Sequence, residues 1–160
     1  MKKAFVLVGA VLALASTPVN AACWTQNEVA AAKVRDLDTM LMVSGLRCRF
    51  KSTALLQTYN AMVARHRAAL TQANILLRSH FSPAAGGENE LDRYVTRVAN
   101  RYGAGAEALT CESLQSIAQA ALNEASTLPA LVALADRAAV APELPGGACD
   151  APAYQLAALR

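Results

Sequence analysis

The segment from Ser52 to His80 contains neither glycine nor proline, and its pattern constrains the fold most strongly. Positions suited to a helix interface recur there in steps of three and four residues: Leu56, Tyr59, Val63, His66, Leu70, Ala73, Leu77 and His80. This spacing predicts one continuous helix of about 43 Å with a heptad seam along one face. Because such a seam must be covered, the rest of the chain has to supply further helices. The 36 alanines and only two isoleucines of the 160-residue chain also favour helix over strand.

Start and stop residues predict a helix on each side of this segment. Thr25 and Glu28 have the spacing of a capping box, which marks the start of the first helix. Gly45 is a natural end for that helix, because glycine is common just after the last helical turn. A third helix is predicted from about Asn89 to Tyr102 and would bury apolar side chains at helical spacing.

Two more helices are predicted in the second half of the chain. Thr110 is suited to cap the fourth, and Thr127, followed by a proline, is suited to cap the fifth. From about residue 141 the composition turns to proline and glycine, which predicts an irregular tail, with a last short helix from Asp150 to Leu159 as an option. The predicted fold class is therefore all-α, an up-and-down bundle of four to five helices.

Residues 1–21 have the pattern of a cleaved secretory signal peptide. A short basic start precedes an apolar run of about 12 residues from Ala4 to Ala15, whereas a membrane-spanning helix needs about 20. Small residues at Val19 and Ala21 suit a cleavage site, which predicts a mature single helical domain of residues 22–160. No later stretch is long and apolar enough to span a bilayer, so no transmembrane segment is expected after cleavage.

Removal of this leader would lower the net charge of the chain. The full sequence carries a formal net charge of +3, but Lys2 and Lys3 belong to the leader. The mature chain would keep 13 basic and 12 acidic residues and would be nearly neutral. Export and near-neutrality together argue against nucleic acid as a partner.

Four cysteines lie in the expected mature chain: Cys23, Cys48, Cys111 and Cys149. An even number of cysteines in an exported protein predicts two disulfides. Their separations are too wide for a CxxC metal site, and the CxxCH pattern of covalent haem attachment does not occur. Lipidation of Cys23 is a weaker alternative, because Asn20 stands where a lipoprotein signal needs an aliphatic residue.

Helix geometry removes one of the three possible pairings. Cys23 and Cys48 flank a helix of about 30 Å, whereas bonded cysteines have Cα atoms within about 7 Å. Two pairings remain: Cys48–Cys111 with Cys23–Cys149, or Cys23–Cys111 with Cys48–Cys149. We prefer the first, because antiparallel neighbours would bring Cys111 back towards Cys48.

Candidate binding residues lie on the second and third helices. Arg93, Arg97 and Arg101 recur every four residues and predict a basic stripe, which would face either an acidic group or solvent. His66 occupies a seam position, where a packed histidine is the expected role and a ligand role is the alternative. His66 and His80 would lie about 21 Å apart along one helix, too far to share a metal ion. We predict neither a metal nor a cofactor.

Further charged residues have simpler expected roles. On the first helix, Lys33 with Asp36 and Arg35 with Asp38 are spaced as surface ion pairs. The basic group Arg47, Arg49 and Lys51 follows the end of that helix, where positive charge is favourable; a binding patch is the alternative. Trp24 is expected to pack against one end of the bundle, with a role as a partner anchor as the alternative.

The predicted function is non-enzymatic: an interaction, structural or chaperone-like role in the bacterial cell envelope, either in the periplasm or secreted. It rests on the lack of GxSxG, HExxH, P-loop and GxGxxG motifs, and its partner would be another envelope protein. Whether the protein is an enzyme stays open. One alternative is an envelope hydrolase or lyase that uses a carboxylate of the segment from Glu88 to Asp92. Another is a bundle that binds haem or a small molecule beside His66.

Overall fold

The computed structural model describes residues 23–81, 86–105 and 109–149. These residues form six helices: α1 (Gln26–Cys48), α2 (Ala54–Arg65), α3 (Arg67–His80), α4 (Gly87–Gly103), α5 (Cys111–Asn123) and α6 (Leu128–Arg137). Within the described ranges, β-type pairing is limited to one isolated bridge between Trp24 and Ala148. The predicted all-α bundle is confirmed, with six helices instead of four to five. The expected leader at 1–21 and the optional helix at 150–159 lie outside the described residues.

Three helices begin where their capping residues predicted. Thr25 precedes α1 and forms the expected capping box, in which Glu28 bonds back to the backbone N–H of Thr25. Thr110 caps α5 by accepting a hydrogen bond from Ser113, and Thr127 caps α6 by accepting one from Ala130.

Helix α1 is the central element of the bundle. It contacts each of the other five helices and buries side chains on more than one face. Its N-terminal half joins one core cluster with α3 and α4, and its C-terminal half joins a second with α2 and α5. Three buried positions of α1 are polar: Asp36, Thr39 and Ser44. Buried polar groups need partners: Thr39 donates to the carbonyl of Arg35 in its own helix, whereas Asp36 bonds Arg101 and Tyr102 of α4.

The expected end of the first helix at Gly45 is wrong, because α1 continues to Cys48. Gly45 is buried and faces α2, where a Cβ atom would lie 3.3 Å from the Cα atom of Leu56. This glycine therefore permits a close approach of two helices instead of ending one.

The single long helix predicted from Ser52 to His80 is also wrong. His66 separates α2 from α3, with φ −100° and ψ 16° instead of helical angles. Helical hydrogen bonds continue on both sides, from His66 N–H to Met62 and from Leu70 N–H to His66. The break is therefore a kink, and it allows α2 to pack mainly on α5 while α3 packs mainly on α1. The seam shifts with it: α2 buries Leu55 and Met62 rather than the expected Leu56 and Val63.

Both preferred disulfides are present, Cys48–Cys111 and Cys23–Cys149. The sulfur of Cys23 is thus bonded to Cys149, which leaves no thiol there for a lipid.

The irregular tail is attached to the start of the chain through Trp24. The Trp24 N–H donates to Gly147, its indole N–H donates to Pro145, and its carbonyl accepts from Cys149. Its ring is 1% exposed and stacks on His80, as expected for packing at one end of the bundle. None of the described helices is long and apolar enough to cross a bilayer.

Candidate functional site

The three arginines of the predicted basic stripe have different surroundings. Arg93 forms an ion pair with Glu90 at the surface of α4, and Arg101 forms one with the buried Asp36 of α1. Arg97 and Arg101 line a small cleft beside Tyr94, and Glu143 of the tail lies on its rim. Acidic groups of the protein itself therefore face two of the three arginines, which leaves less positive charge for an external anion.

Asp36 is the centre of a buried polar cluster. The sequence predicted a surface pair with Lys33, which is wrong: Lys33 pairs with Asp136, whereas Asp36 has no exposed surface. One carboxylate oxygen accepts from Arg101 and the other accepts a 2.5 Å hydrogen bond from the hydroxyl of Tyr102. Burial and the bond to Asp36 raise the pKa of Tyr102, so its hydroxyl stays a donor at neutral pH. Both oxygens are engaged, which suits a structural role.

The other predicted pair on α1 is confirmed, since Arg35 lies 3.3 Å from Asp38. Desolvation raises the pKa of Asp38, although Arg35 and the hydroxyl of Tyr59 act in the opposite direction.

His66 lies at the kink between α2 and α3 and is completely buried. Its Nε2 lies 2.8 Å from the carbonyl oxygen of Ala121 on α5. Because a carbonyl can only accept, Nε2 carries the proton and donates it. Nδ1 has no hydrogen-bond partner among the described residues. This geometry fits a histidine that fixes the position of α5. His66 does not line the cleft at Arg97 and Arg101, the groove between α3 and α4, or the cleft between the end of α1 and the start of α5.

The carboxylates of the enzyme alternative lie at the start of α4. Glu88 pairs with Arg78 and Glu90 pairs with Arg93, whereas Asp92 lines a groove of about 470 Å³ between α3 and α4. The groove is polar at its rim and has apolar residues at its floor; its lining is Arg35, Asn74, Leu77, Arg78, Leu91, Asp92, Val95 and Thr96. Asp92 is exposed, and the guanidinium groups of Arg35 and Arg78 share its groove.

A second cleft of about 430 Å³ opens where α1 ends and α5 begins. We call it the Phe50 cleft. The Cys48–Cys111 disulfide lies in its wall and joins the two helices covalently. Its lining is Ser44, Arg47, Cys48, Phe50, Lys51, Gly105, Leu109, Cys111 and Leu114.

Phe50 is the most exposed large apolar side chain of the described residues, with 84% of its surface accessible. It stands at the cleft with the guanidinium of Arg49 4.9 Å from its ring centroid. A cation over an aromatic face is favourable and holds the ring in place. Leu46, on the last turn of α1, is also exposed, so the surface beside the cleft is apolar as well as basic.

Arg47 fixes one wall of the Phe50 cleft. Its guanidinium donates to the carbonyl oxygens of Tyr102 and Gly103, at 3.2 Å and 3.0 Å, at the C-terminal end of α4. Gly105 makes this possible: its φ is +125°, and a Cβ atom there would lie 3.0 Å from Arg47 Nη1.

The electrostatics of the Phe50 cleft are positive. Its described lining includes the cations Arg47 and Lys51 and no carboxylate. Among the described residues around the cleft, the acidic group is Glu112 in the first turn of α5. Hydrogen bonds from its own N–H and from Thr110 lower the pKa of Glu112, and the charge of Lys51 lowers it further. Among the described residues of this surface, the carboxylate of Glu112 is accompanied by three cations, Arg47, Arg49 and Lys51.

The cleft contains residues that the sequence argument did not select. The basic group 47–51 was assigned chiefly to the helix end, and Phe50, Leu109 and Leu114 were not considered as site residues. One sequence feature could have indicated Phe50, namely an aromatic residue between two cations directly after a helix.

No group of three metal-binding side chains occurs within residues 23–81, 86–105 and 109–149. Comparison of this chain with protein-family models, curated proteins and solved structures gives no match.

Proposed function

We propose that this is an exported protein of the bacterial cell envelope that acts without catalysis, by binding another envelope protein at the Phe50 cleft. The observation that carries the proposal is the exposure of Phe50, 84%, at a concave surface with an apolar floor. Burying this ring against a partner would gain about 1.5–3 kcal/mol, because apolar surface is removed from water. Exposed aromatic and arginine side chains beside a pocket are typical of protein interfaces.

Two independent features support export. The sequence of residues 1–21 has the organisation of a signal peptide. The described cysteines are all in disulfides, which persist in oxidising compartments such as the periplasm and the extracellular space.

The lining of the cleft favours binding over catalysis. Its described residues offer no carboxylate or imidazole that could act as a base, and both of its cysteines are bonded to each other. A nucleophile would need such a base or a free thiol. The hydrolase or lyase alternative would use Asp92 instead, which lies in the groove between α3 and α4. The haem alternative would use His66, whose Nε2 is engaged with Ala121.

Site-specific photo-crosslinking in the producing cell, with both disulfides intact, tests the proposal. A benzophenone-bearing aromatic residue replaces Phe50 in one variant and Ile75 in a control variant. Ile75 is 62% exposed on α3 and does not line the cleft, so the control is also an exposed apolar position. We expect one discrete covalent product from position 50 and none from position 75. Equal products from both positions, or none from position 50, would overturn the proposal.

A second measurement checks that the ring supplies the affinity. Once mass spectrometry has identified the crosslinked protein, its affinity is compared for the unmodified protein and for Phe50→Ala. Loss of a central aromatic anchor costs about 2 kcal/mol, or about 30-fold in affinity. Because the ring is exposed, Phe50→Ala leaves folding intact, which circular dichroism verifies.

A further inference from the structure

We infer that the Phe50 cleft takes an acidic peptide segment of its partner, with an apolar side chain between carboxylates. This inference rests on the function proposed above and names the chemistry of the segment that is bound. Three features of the cleft carry it: the sign of its charge, two cations that are not used to cap α1, and its apolar floor.

The charge selects an acidic partner. Arg47 and Lys51 line the cleft, Arg49 stands beside it, and the Glu112 carboxylate lies close to Lys51. The first turn of α5, from Cys111 to Leu114, also lies in the wall. A helix N-terminus adds partial positive charge. Carboxylates complement this surface, whereas lysine or arginine side chains would be repelled.

Two of the cations, Arg49 and Lys51, are not used to cap α1, and Lys51 also lies close to the Glu112 carboxylate. The end of α1 is capped by backbone groups, because the carbonyl of Cys48 accepts from the N–H groups of Lys51 and Ser52 at 2.9 Å and 3.0 Å. The side chains of Arg49 and Lys51 are therefore not needed to cap the helix. Arg49 is exposed and lies over the Phe50 ring, and an exposed guanidinium is a suitable partner for a carboxylate. Arg47 differs, since it already bonds α4 and serves mainly to shape the wall.

The floor selects an apolar side chain. Leu109 and Leu114 lie inside the cleft together with the Cys48–Cys111 disulfide. The volume of this open cleft, about 430 Å³, is within the range of sites that hold a compact apolar group. A leucine or phenylalanine of the partner can enter beside Phe50 while its neighbouring carboxylates meet Arg49 and Lys51.

An anionic bilayer is the rival occupant, because an exposed aromatic ring among cations also suits a lipid headgroup surface. The shape of the site favours the peptide. Leu109 and Leu114 lie in a concavity that a flat surface cannot fill. Because a bilayer would not reach Leu109 and Leu114, its apolar contact would be limited largely to Phe50 and Leu46.

Fluorescence anisotropy with three labelled peptides tests the inference. All are nine residues long with one central phenylalanine, and the flanking positions are glutamate, glutamine or lysine. We expect the mature protein to bind the glutamate peptide at least tenfold more tightly than the glutamine peptide, and the lysine peptide least. The preference should weaken as salt is raised, because the contacts are charged and near the surface.

Two double variants locate the binding. R49E/K51E should reverse the order, so that the lysine peptide binds best. R65E/R67E also reverses two exposed positive charges, at the junction of α2 and α3, and should leave the order unchanged. Equal binding of all three peptides, or equal effects of both double variants, would overturn the inference.

The two experiments separate this inference from the proposed function. If position 50 crosslinks to a partner but the protein does not prefer the glutamate peptide, only the inference of an acidic segment is overturned. If position 50 gives no crosslink and no peptide binds, the cleft is not a binding site. Sedimentation with vesicles of phosphatidylglycerol and phosphatidylcholine tests the bilayer alternative. If the protein sediments with the vesicles only when Phe50 is present, and binds none of the peptides, the occupant of the cleft is a bilayer and the inference is overturned.

Discussion

The hydroxyl of Tyr102 donates a hydrogen bond of 2.5 Å to Oδ1 of Asp36, a carboxylate with no exposed surface. The other carboxylate oxygen of Asp36 is paired with Arg101, so both contacts join the central helix α1 to the end of α4. Arg101 also donates to the carbonyl of Ala141, which extends the connection to the tail. One buried charge therefore fixes the relative positions of three segments.

We expect Asp36→Ala to lower the free energy of unfolding by about 3–5 kcal/mol, because removing one partner strands the other polar groups. Asp136→Ala is the matched control: its carboxylate pairs with Lys33 on the surface, where the loss should be about 0–1 kcal/mol. Urea unfolding followed by circular dichroism measures both. Equal losses in the two variants would contradict the structural role of Asp36.

Gly45→Ala should lower stability by about 1 kcal/mol, although alanine is the better helix former. The added methyl group would meet the Leu56 backbone at 3.3 Å and push α2 away from α1. Gly103→Ala is the control, since a Cβ atom there meets no atom within 4 Å. Thermal unfolding should give a lower Tm for the first variant and an equal or higher Tm for the second. A rise in Tm for Gly45→Ala would show that α2 can move at no cost.

The capping glutamate of α1 predicts a pH dependence. Partial burial acts to raise the pKa of Glu28, but hydrogen bonds from Thr25 and His80 outweigh it and hold the pKa below the ordinary 4.5. Since the folded state binds this proton less readily than the unfolded state, the stabilisation is present above pH 4.5 and is lost as the pH falls below it.

We therefore expect wild-type protein to exceed Glu28→Gln in stability at pH 6, with the difference shrinking as the solution is acidified to about pH 3. Glutamine keeps the capping geometry and removes only the charge. Urea unfolding at a series of pH values gives the two curves. A difference independent of pH would mean that the charge of Glu28 contributes nothing.

We expect both disulfides to stabilise the fold but only one of them to affect peptide binding. Replacing Cys48 and Cys111 by serine should cost about 4 kcal/mol, and replacing Cys23 and Cys149 about 5 kcal/mol, because the second bridge closes the longer loop. Only the first pair lies in the wall of the Phe50 cleft, so only its loss should weaken peptide binding in protein that remains folded.

Urea unfolding measures the loss of stability of each variant, and fluorescence anisotropy measures its affinity for the glutamate peptide. Peptide mapping without reductant checks the pairing, and a fragment joining Cys23 to Cys111 would contradict it.

Local rules were sufficient for the starts of α1, α5 and α6 and for excluding one of the three cysteine pairings. A threonine cap such as Thr110 acts on a backbone N–H three residues away, so neighbouring sequence decides it. Elimination of the Cys23–Cys48 pairing needed only the length of one helix.

The errors arose where a distant residue decides the local structure. His66 interrupts a segment without glycine or proline because its ring reaches the carbonyl of Ala121, which lies 55 positions away. Gly45 remains helical because Leu56 packs against it. Asp36 turns into the core because Arg101 and Tyr102 are there to meet it. Such partners cannot be identified from the periodicity of the segment itself.

The candidate site was the least predictable part for the same reason. Hydrophobicity alone assigns a phenylalanine to the core, and only the arrangement of α1 and α5 leaves Phe50 outside it. Leu109 and Leu114 become its neighbours through the Cys48–Cys111 bridge, across a sequence separation of 63 residues.

The bond between Cys23 and Cys149 also determines how the fold carries mechanical load. Their Cα atoms lie 4.8 Å apart although 126 positions separate them in sequence. A pull applied through the chain on either side of this pair passes directly across the sulfur–sulfur bond and bypasses all six helices. An attachment made beyond these two cysteines can therefore be stretched without unravelling the helical bundle or opening the Phe50 cleft.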